Sequence, residues 1–253
     1  MHVKSLNTPI NLKNGHIETL IPFIFRPSPK VSYVRERIKT FDDDFLDLDW
    51  SRLHSSKDLV ILNHGLESSS DAHYIKGMVK QFNKLGMDCL AWNYRGCSGE
   101  MNKTIKFYHS GATYDLDEVV KHVTKTHSYK NIYIVGFSLG ANLALKYLGE
   151  GLYPSAEKIT AACVFSAPCC LESSSLNLQR GFNQLYTQIF LMTMRKKLIA
   201  KKYLLKNAGF SLDNLFKIKT LKEFDDRFTA PLHGMRDAKD YYNKNSAKYY
   251  ISK

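Results

Sequence analysis

Unbroken apolar runs recur along the first two-thirds of the chain: Leu59-Val60-Ile61-Leu62, then Cys89-Leu90-Ala91-Trp92, then Ile132-Tyr133-Ile134-Val135, then the stretch from Ile159 to Phe165. Each is too short for a buried helix and reads as a strand covered on both faces. Between them the period changes. Ile75, Met78, Val79, Phe82 and Leu85 follow helical spacing and predict a helix over 72–85, with Asp71 as its cap and Gly86 just past its end. Leu116, Val119, Val120 and Val123 mark a second helix; Leu143, Ala144, Tyr147 and Leu148 mark a third that stops at Gly149. Strands alternating with helices predict a parallel sheet with helices on both faces. Ligands then bind at the carboxyl ends of the strands, so the loops 63–68, 95–100, 136–140 and 166–172 share one end of the molecule.

The flanks follow other patterns. Residues 31–38 and 44–50 alternate apolar and polar, and predict an antiparallel hairpin that opens the sheet. The Asp42-Asp43-Asp44 run between them lacks the spaced ligands of a calcium loop and reads as a solvated turn. Residues 1–30, punctuated by Pro22, Pro27 and Pro29, read as an irregular arm packed on the body. From about 171 to 250 the composition becomes helical. Phe182, Leu185, Tyr186, Ile189, Phe190, Met192 and Met194 precede Arg195-Lys196-Lys197 and Lys201-Lys202. This predicts a helical cap over the sheet with its lysines in water; contact with a lipid surface is the competing reading of the same stretch. A turn at 230–234 and a last helix over 238–250 complete the chain. One domain is expected, with a core over 31–170 and the cap over 171–250.

Composition narrows this picture. At 253 residues, 44% hydrophobic and 24% charged, the chain can bury the core of an ordinary α/β domain. No apolar run reaches membrane-spanning length, and the first residues lack the apolar stretch of a signal peptide. The formal charge of +12 comes from dispersed lysines and arginines without a nucleic-acid-reading motif, so a basic solvated surface is expected and no nucleic-acid partner. Five cysteines without metal-ligand spacing read as buried free thiols of a reducing cytoplasm, with no zinc.

The candidate chemistry centres on Gly136-Phe137-Ser138-Leu139-Gly140. A G-x-S-x-G pentapeptide between a predicted strand and a predicted helix is a nucleophile elbow: the strained turn exposes the serine, and the glycines let strand and helix approach. Ser138 is therefore the candidate nucleophile. An acyl-transfer serine also needs oxyanion donors and a base held by an acid. The backbone N–H groups of Leu139 and of Leu66, in the His64-Gly65-Leu66 loop after the first buried strand, are the expected donors. His64 precedes the nucleophile and reads as a loop-shaping residue. In this chain order the acid and base follow the serine. His233 is the histidine that does so, beside Pro231 and Gly234 and without a following strand to present it. Glu172, just past the fourth parallel strand, stands where an acid could stand. Both are weak candidates, and Asp225 and Asp226 read as structural. The loop Asn93 to Gly99 lacks the glycine spacing of a nucleotide site.

Several longer stretches carry a resemblance. Asn14 to Leu20, Asp44 to Trp50, His64-Gly65-Leu66-Glu67, Asn93 to Glu100, Tyr108 to Gly111, the elbow and Phe224 to Gly234 together resemble the YheT-like α/β-hydrolases. That resemblance spans nearly the whole chain. It implies an α/β-hydrolase fold and a Ser–Asp–His hydrolase of carboxylic, acyl or lipid-like esters without metal or cofactor. It places the nucleophile at Ser138 and an oxyanion donor at Leu66. Two departures accompany it: Ser68 stands where such proteins usually carry glycine, and the family's acid and histidine fall beyond Lys253. Two strand–helix units, on the order of 60–70 residues, would then be absent. The strand at 159–165 would be left as an exposed edge able to pair with another subunit. The sequence leaves two readings open: an ester hydrolase by descent whose triad is incomplete in this chain, or a catalytically silent relative that binds a partner or a membrane.

Overall fold

The computed structural model describes residues 15–25, 27–53 and 55–251, so the first part of the expected N-terminal arm lies outside the described residues. Six strands form one mixed sheet, in the order β1-β2-β4-β3-β5-β6. Strands β1 (Val34–Lys39) and β2 (Phe45–Ser51) make the expected antiparallel hairpin, and β2 pairs antiparallel with β4 (Asp88–Asn93). Strands β4, β3 (Asp58–Asn63), β5 (Asn131–Phe137) and β6 (Ala161–Phe165) run parallel.

The unbroken apolar runs have the expected cause. Leu59 and Ile61 of β3 pack on one face of the sheet with Leu116, Val119 and Val120 of α3 (Thr113–Thr126) and Leu143 of α4 (Leu139–Gly149). Val60 and Leu62, pointing the other way, pack with Ile75 and Val79 of α2 (His73–Lys84). Alternation on β2 has a different origin. Leu46, Leu48 and Trp50 face the first core, while Asp47 and Asp49 stand directly opposite Arg37 and Arg35 of β1. Each pair is a two-point bridge, with contacts of 2.7 Å for Arg35–Asp49 and 2.7 and 2.9 Å for Arg37–Asp47.

Some local expectations are corrected. Residues Gly15–Phe25 form a helix, α1, despite the proline within it. Asp71 does not cap α2: the helix starts after Ala72 with no side-chain cap, and Asp71 pairs instead with Lys76 at 2.8 Å. The Asp42–Asp44 turn is not solvated throughout. The buried Arg95 guanidinium bonds Asp115 at 2.7 and 2.8 Å and Asp42 at 2.7 and 3.0 Å. Asp44 is buried beside it, accepting bonds from Asn102 and from the Lys103 and Thr104 N–H groups. Burial alone would raise the Asp44 pKa, but these donors hold it well below the ordinary range. The five cysteines are all free, but only Cys89 is buried as expected: Cys97, Cys169 and Cys170 are half-buried and Cys163 on β6 is exposed.

After β6 the chain builds the cap. Helices α5 (Leu171–Leu178), α6 (Asn183–Ala200) and α7 (Lys202–Asn207) are followed by α8 (Leu221–Phe224), a π-turn (Asp225–Thr229), α9 (Ala230–Leu232) and α10 (Ala238–Asn245). The cap has its own core, with Leu191, Leu198 and Leu205 against Leu221, Phe224 and Phe228, and Leu66 of the body packs against it. Asn142 on α4 ties the end of α10 to the body: its amide donates to the Asn245 and Ser110 carbonyls and its oxygen accepts the Ala247 N–H. Strand β6 is one edge of the sheet, and four of its five residues are exposed. No described helix is long and apolar enough to cross a membrane.

Candidate active site

Ser138 lies between β5 and α4 with φ 51° and ψ −117°, a conformation costly for any residue with a side chain. Its neighbours enforce it. A Cβ on Gly136 would lie 2.6 Å from the Gly140 carbonyl oxygen, and one on Gly140 would lie 2.5 Å from the carbonyl oxygens of Asn63 and His64. Only glycine allows strand, helix and the 63–66 loop to meet so closely. The Ser138 N–H donates to the Phe165 carbonyl at 2.9 Å, and the residue is exposed at the carboxyl end of the sheet.

Which N–H groups are free to act as the expected donors follows from accounting for each of them. In the 65–67 loop, the Gly65 N–H donates to the Tyr74 hydroxyl at 2.9 Å and the Glu67 N–H to the Tyr108 hydroxyl at 2.7 Å. The Leu66 N–H between them has no protein acceptor among the described residues. Leu139 is the first residue of α4, where an N–H has no intrahelical acceptor. A Cβ on Gly65 would stand 3.5 Å from the Ser138 Cβ, so the loop and Ser138 are adjacent. Ser68, the departure from glycine, accepts the Tyr74 hydroxyl proton at 2.9 Å and so braces this loop.

Ser138, Leu66 and Leu139 all line one cavity of about 170 Å³, roofed by the cap through Phe190, Met194 and Leu198. His233 lines it too. Its ring sits between two carbonyl oxygens, Nδ1 2.7 Å from Thr229 and Nε2 2.9 Å from Phe107. Burial holds its pKa below the ordinary value in spite of them. The neutral ring donates to only one of these carbonyls and turns the lone pair of its other nitrogen toward the second, and neither nitrogen is bonded to Ser138. His109, also in the wall, accepts the Gly111 N–H on Nδ1, and burial drives its pKa far down. His64 is buried in the loop: Nδ1 faces the Gly65 carbonyl at 2.8 Å and Nε2 accepts the Tyr94 N–H at 3.3 Å, and burial lowers its pKa to about 3. Glu172 is exposed in the first turn of α5, outside the cavity wall. Among the described residues no side chain hydrogen-bonds the Ser138 hydroxyl, and no cluster of His, Cys, Asp and Glu is placed to hold a metal ion.

Known proteins resemble this chain in sequence and fold. The family model described as "Serine aminopeptidase, S33" matches residues 54–220. YheT of Escherichia coli (strain K12), a protein named for an inferred esterase activity, is 35% identical over 92% of this chain and 69% of its own length. The chain belongs to the YheT-like α/β-hydrolases. Phospholipase ABHD3 of Mus musculus is 32% identical over 90% of this chain and 57% of its own length. The chain therefore spans between about half and two-thirds of such relatives. Esterase Pf2001 of Pyrococcus furiosus superposes with a TM-score of 0.50 at 27% identity, covering 58% of this chain and 56% of that one.

Three residues of this YheT-like chain that sequence reasoning did not single out as partners connect the cap to the Leu66 loop. Glu67, at φ 52°, accepts the Tyr108 hydroxyl at 2.6 Å and the Lys197 ammonium of α6 at 2.9 Å. Lys197 also lies 3.2 Å from the Cys97 sulfur and 5.0 Å from the centre of the Tyr108 ring. Burial would lower the Lys197 pKa, but Cys97 and Glu67 raise it overall, keeping the ammonium charged. The positive φ of Glu67 and the distance along the chain to Lys197 leave no local signature. Asp225, read from sequence as structural, lines the cavity from the π-turn.

Proposed function

We propose that this chain carries the nucleophile, oxyanion donors and acyl cavity of a serine hydrolase acting on carboxylic esters with apolar, lipid-like acyl groups. Ser138 Oγ attacks the ester carbonyl as a general base takes its proton, the Leu66 and Leu139 N–H groups receive the oxygen that gains charge, and collapse expels the alcohol, which takes up that proton and leaves the acyl group on Ser138. Helix α4 adds its positive end to that stabilisation. The observation that carries the reading is the strained, exposed Ser138 beside the Leu66 loop in the wall of an apolar cavity. The relatives named esterase, phospholipase and, in Saccharomyces cerevisiae, monoacylglycerol lipase support the ester class. The free thiols fit a reducing compartment such as the cytoplasm.

The clamp on His233 favours a second reading, in which the same cavity binds a lipid-like ligand without turning it over. One experiment separates them. A fluorophosphonate probe is expected to label the wild-type chain, peptide mapping to place the adduct on Ser138, and Ser138→Ala to stay unlabelled. Equal labelling of Ser138→Ala removes Ser138 from the chemistry. Absence of labelling in the wild type, with retained binding of an apolar ligand, selects the second reading.

A further inference from the structure

Most of the cavity wall is hydrocarbon, including Phe107, Leu178, Phe190, Met194, Leu221 and Phe228. Several polar groups in it are already occupied: Glu67 and Lys197 bond each other, and the Tyr241 hydroxyl accepts the Ser110 N–H at 3.0 Å. Asp225 differs. It is 9% exposed and has no basic partner among the described residues, whereas its neighbour Asp226 turns to Lys222 at 2.6 Å and to the Ala238 N–H at 2.7 Å. Asp225 Oδ2 accepts the Tyr242 hydroxyl at 2.8 Å, and Tyr242 lies 3.0 Å from the Ser175 hydroxyl.

A carboxylate offers about four acceptor sites, so the Tyr242 hydroxyl leaves most of them open. Fastening α10 through Tyr242 would need only a neutral acceptor. A carboxyl in hydrocarbon without a cation is costly and calls for a further donor. Its position on a π-turn inside a helical run is also one that recurs at functional sites. The geometry points to Asp225, held in place by Tyr242, as a hydroxyl-recognition subsite in the cavity that Ser138 lines, taking the hydroxyl-bearing end of an alkyl or acyl ligand. Burial lifts the Asp225 pKa to about 7, so both protonation states are populated near neutrality. A hydroxyl donates and accepts and can bond either state; an ammonium bonds only the carboxylate. The subsite rests on the proposed hydrolase reading only in making that ligand the substrate, because binding needs no turnover.

The test uses 1-O-octylglycerol, which an ester hydrolase cannot cleave, and octyl propyl ether, the same skeleton without hydroxyls. Titration calorimetry on the full chain should show the glycerol ether binding on the order of tenfold more tightly, in wild type and in Ser138→Ala alike. Asp225→Leu should abolish that preference and keep the binding of octyl propyl ether; Tyr242→Phe, which keeps the carboxyl, should retain it. Where Asp225→Leu loses its fold by circular dichroism, Asp225→Asn should cut the preference several-fold by removing the charged acceptor. No measurable binding of the glycerol ether, equal affinity for both ethers in the wild type, or an unchanged preference in the folded Asp225 variant overturns the assignment. Tighter binding of an octyltrimethylammonium ion than of the glycerol ether overturns it in favour of a cation site. Loss of fluorophosphonate labelling with the preference intact removes the hydrolase reading and leaves the subsite standing.

Discussion

Lys197→Met tests whether the cap holds the oxyanion loop. The Lys197–Glu67 pair is 2.9 Å long with side chains only 15% and 6% exposed, so removing the cation leaves a nearly buried carboxylate. Breaking a fully buried pair costs about 3–5 kcal/mol. Glu67 keeps its bond from Tyr108, and Lys197 is partly wetted, so the expected loss is nearer about 2–3 kcal/mol. In a chain of this size that lowers the melting temperature by roughly 4–12 °C. Glu67→Gln in the same background removes the stranded charge while preserving an acceptor for Tyr108. The double variant should therefore recover about 1–2 kcal/mol relative to the sum of the single losses. Urea unfolding of the four proteins gives the cycle. Function should follow, because Glu67 sits next to Leu66 at a positive φ that this network maintains. Complete loss of one oxyanion donor costs about 10²–10³ in rate, and loosening it in Lys197→Met should slow fluorophosphonate labelling of Ser138 by roughly tenfold. Stability within 0.5 kcal/mol of wild type (roughly the error of additivity), or a strictly additive cycle, would refute the clamp.

Two further outcomes follow from the same geometry. Gly140→Ala drives a Cβ to 2.5 Å from two backbone oxygens of the oxyanion loop, which cannot rotate away. A loss of about 2–3 kcal/mol is expected by thermal unfolding, with labelling slowed at least tenfold; a neutral effect would contradict the close approach of α4 and the loop. His64 provides a pH signature. Its folded pKa of about 3 lies below the ordinary 6.5, so its stabilising contribution is present above pH 6.5 and is lost as pH falls toward 3. The stability of the wild type should drop with a slope up to about 1.4 kcal/mol per pH unit steeper than that of His64→Asn between pH 6 and 4. Parallel curves in urea titrations at several pH values would mean that the ring is not held neutral.

What could be read from the chain divides by the range of the interaction. Strands β3, β4 and β5 announce themselves because both faces are buried by helices adjacent in sequence, so each residue of the run is apolar. The elbow is legible for a similar reason: strand, turn and helix are contiguous, and the glycines answer clashes within a few residues and with one neighbouring loop. The Asp42–Asp44 turn was misread because its partner Arg95 lies on another loop, and a run of carboxylates looks the same whether water or a guanidinium surrounds it. Helix α1 was hidden by Pro22, although a proline in the interior of a short helix is a cost that other contacts can outweigh.

The cap shows why the site was only partly legible. Its helical character was evident from composition, but helix α6 is apolar around much of its circumference, with Leu191 and Leu198 inward and Leu185, Ile189 and Met192 exposed. Periodicity alone therefore did not say which face closes over Ser138. That choice is made by Lys197, whose ammonium finds Glu67, and by Lys201, whose ammonium bonds Asn102 at 2.6 Å and the Thr104 carbonyl. Burial lowers the Lys201 pKa to about 7, so this second anchor is held at an electrostatic cost, while the first gains from its carboxylate. The two lysines are one helical turn apart and reach different loops of the body, which fixes both the rotation of α6 and its height above the elbow. The basic run that composition assigns to a solvated face is thus, at these two positions, the device that seats the cap on the body, Lys197 on the Leu66 loop and Lys201 on the loop 102–106.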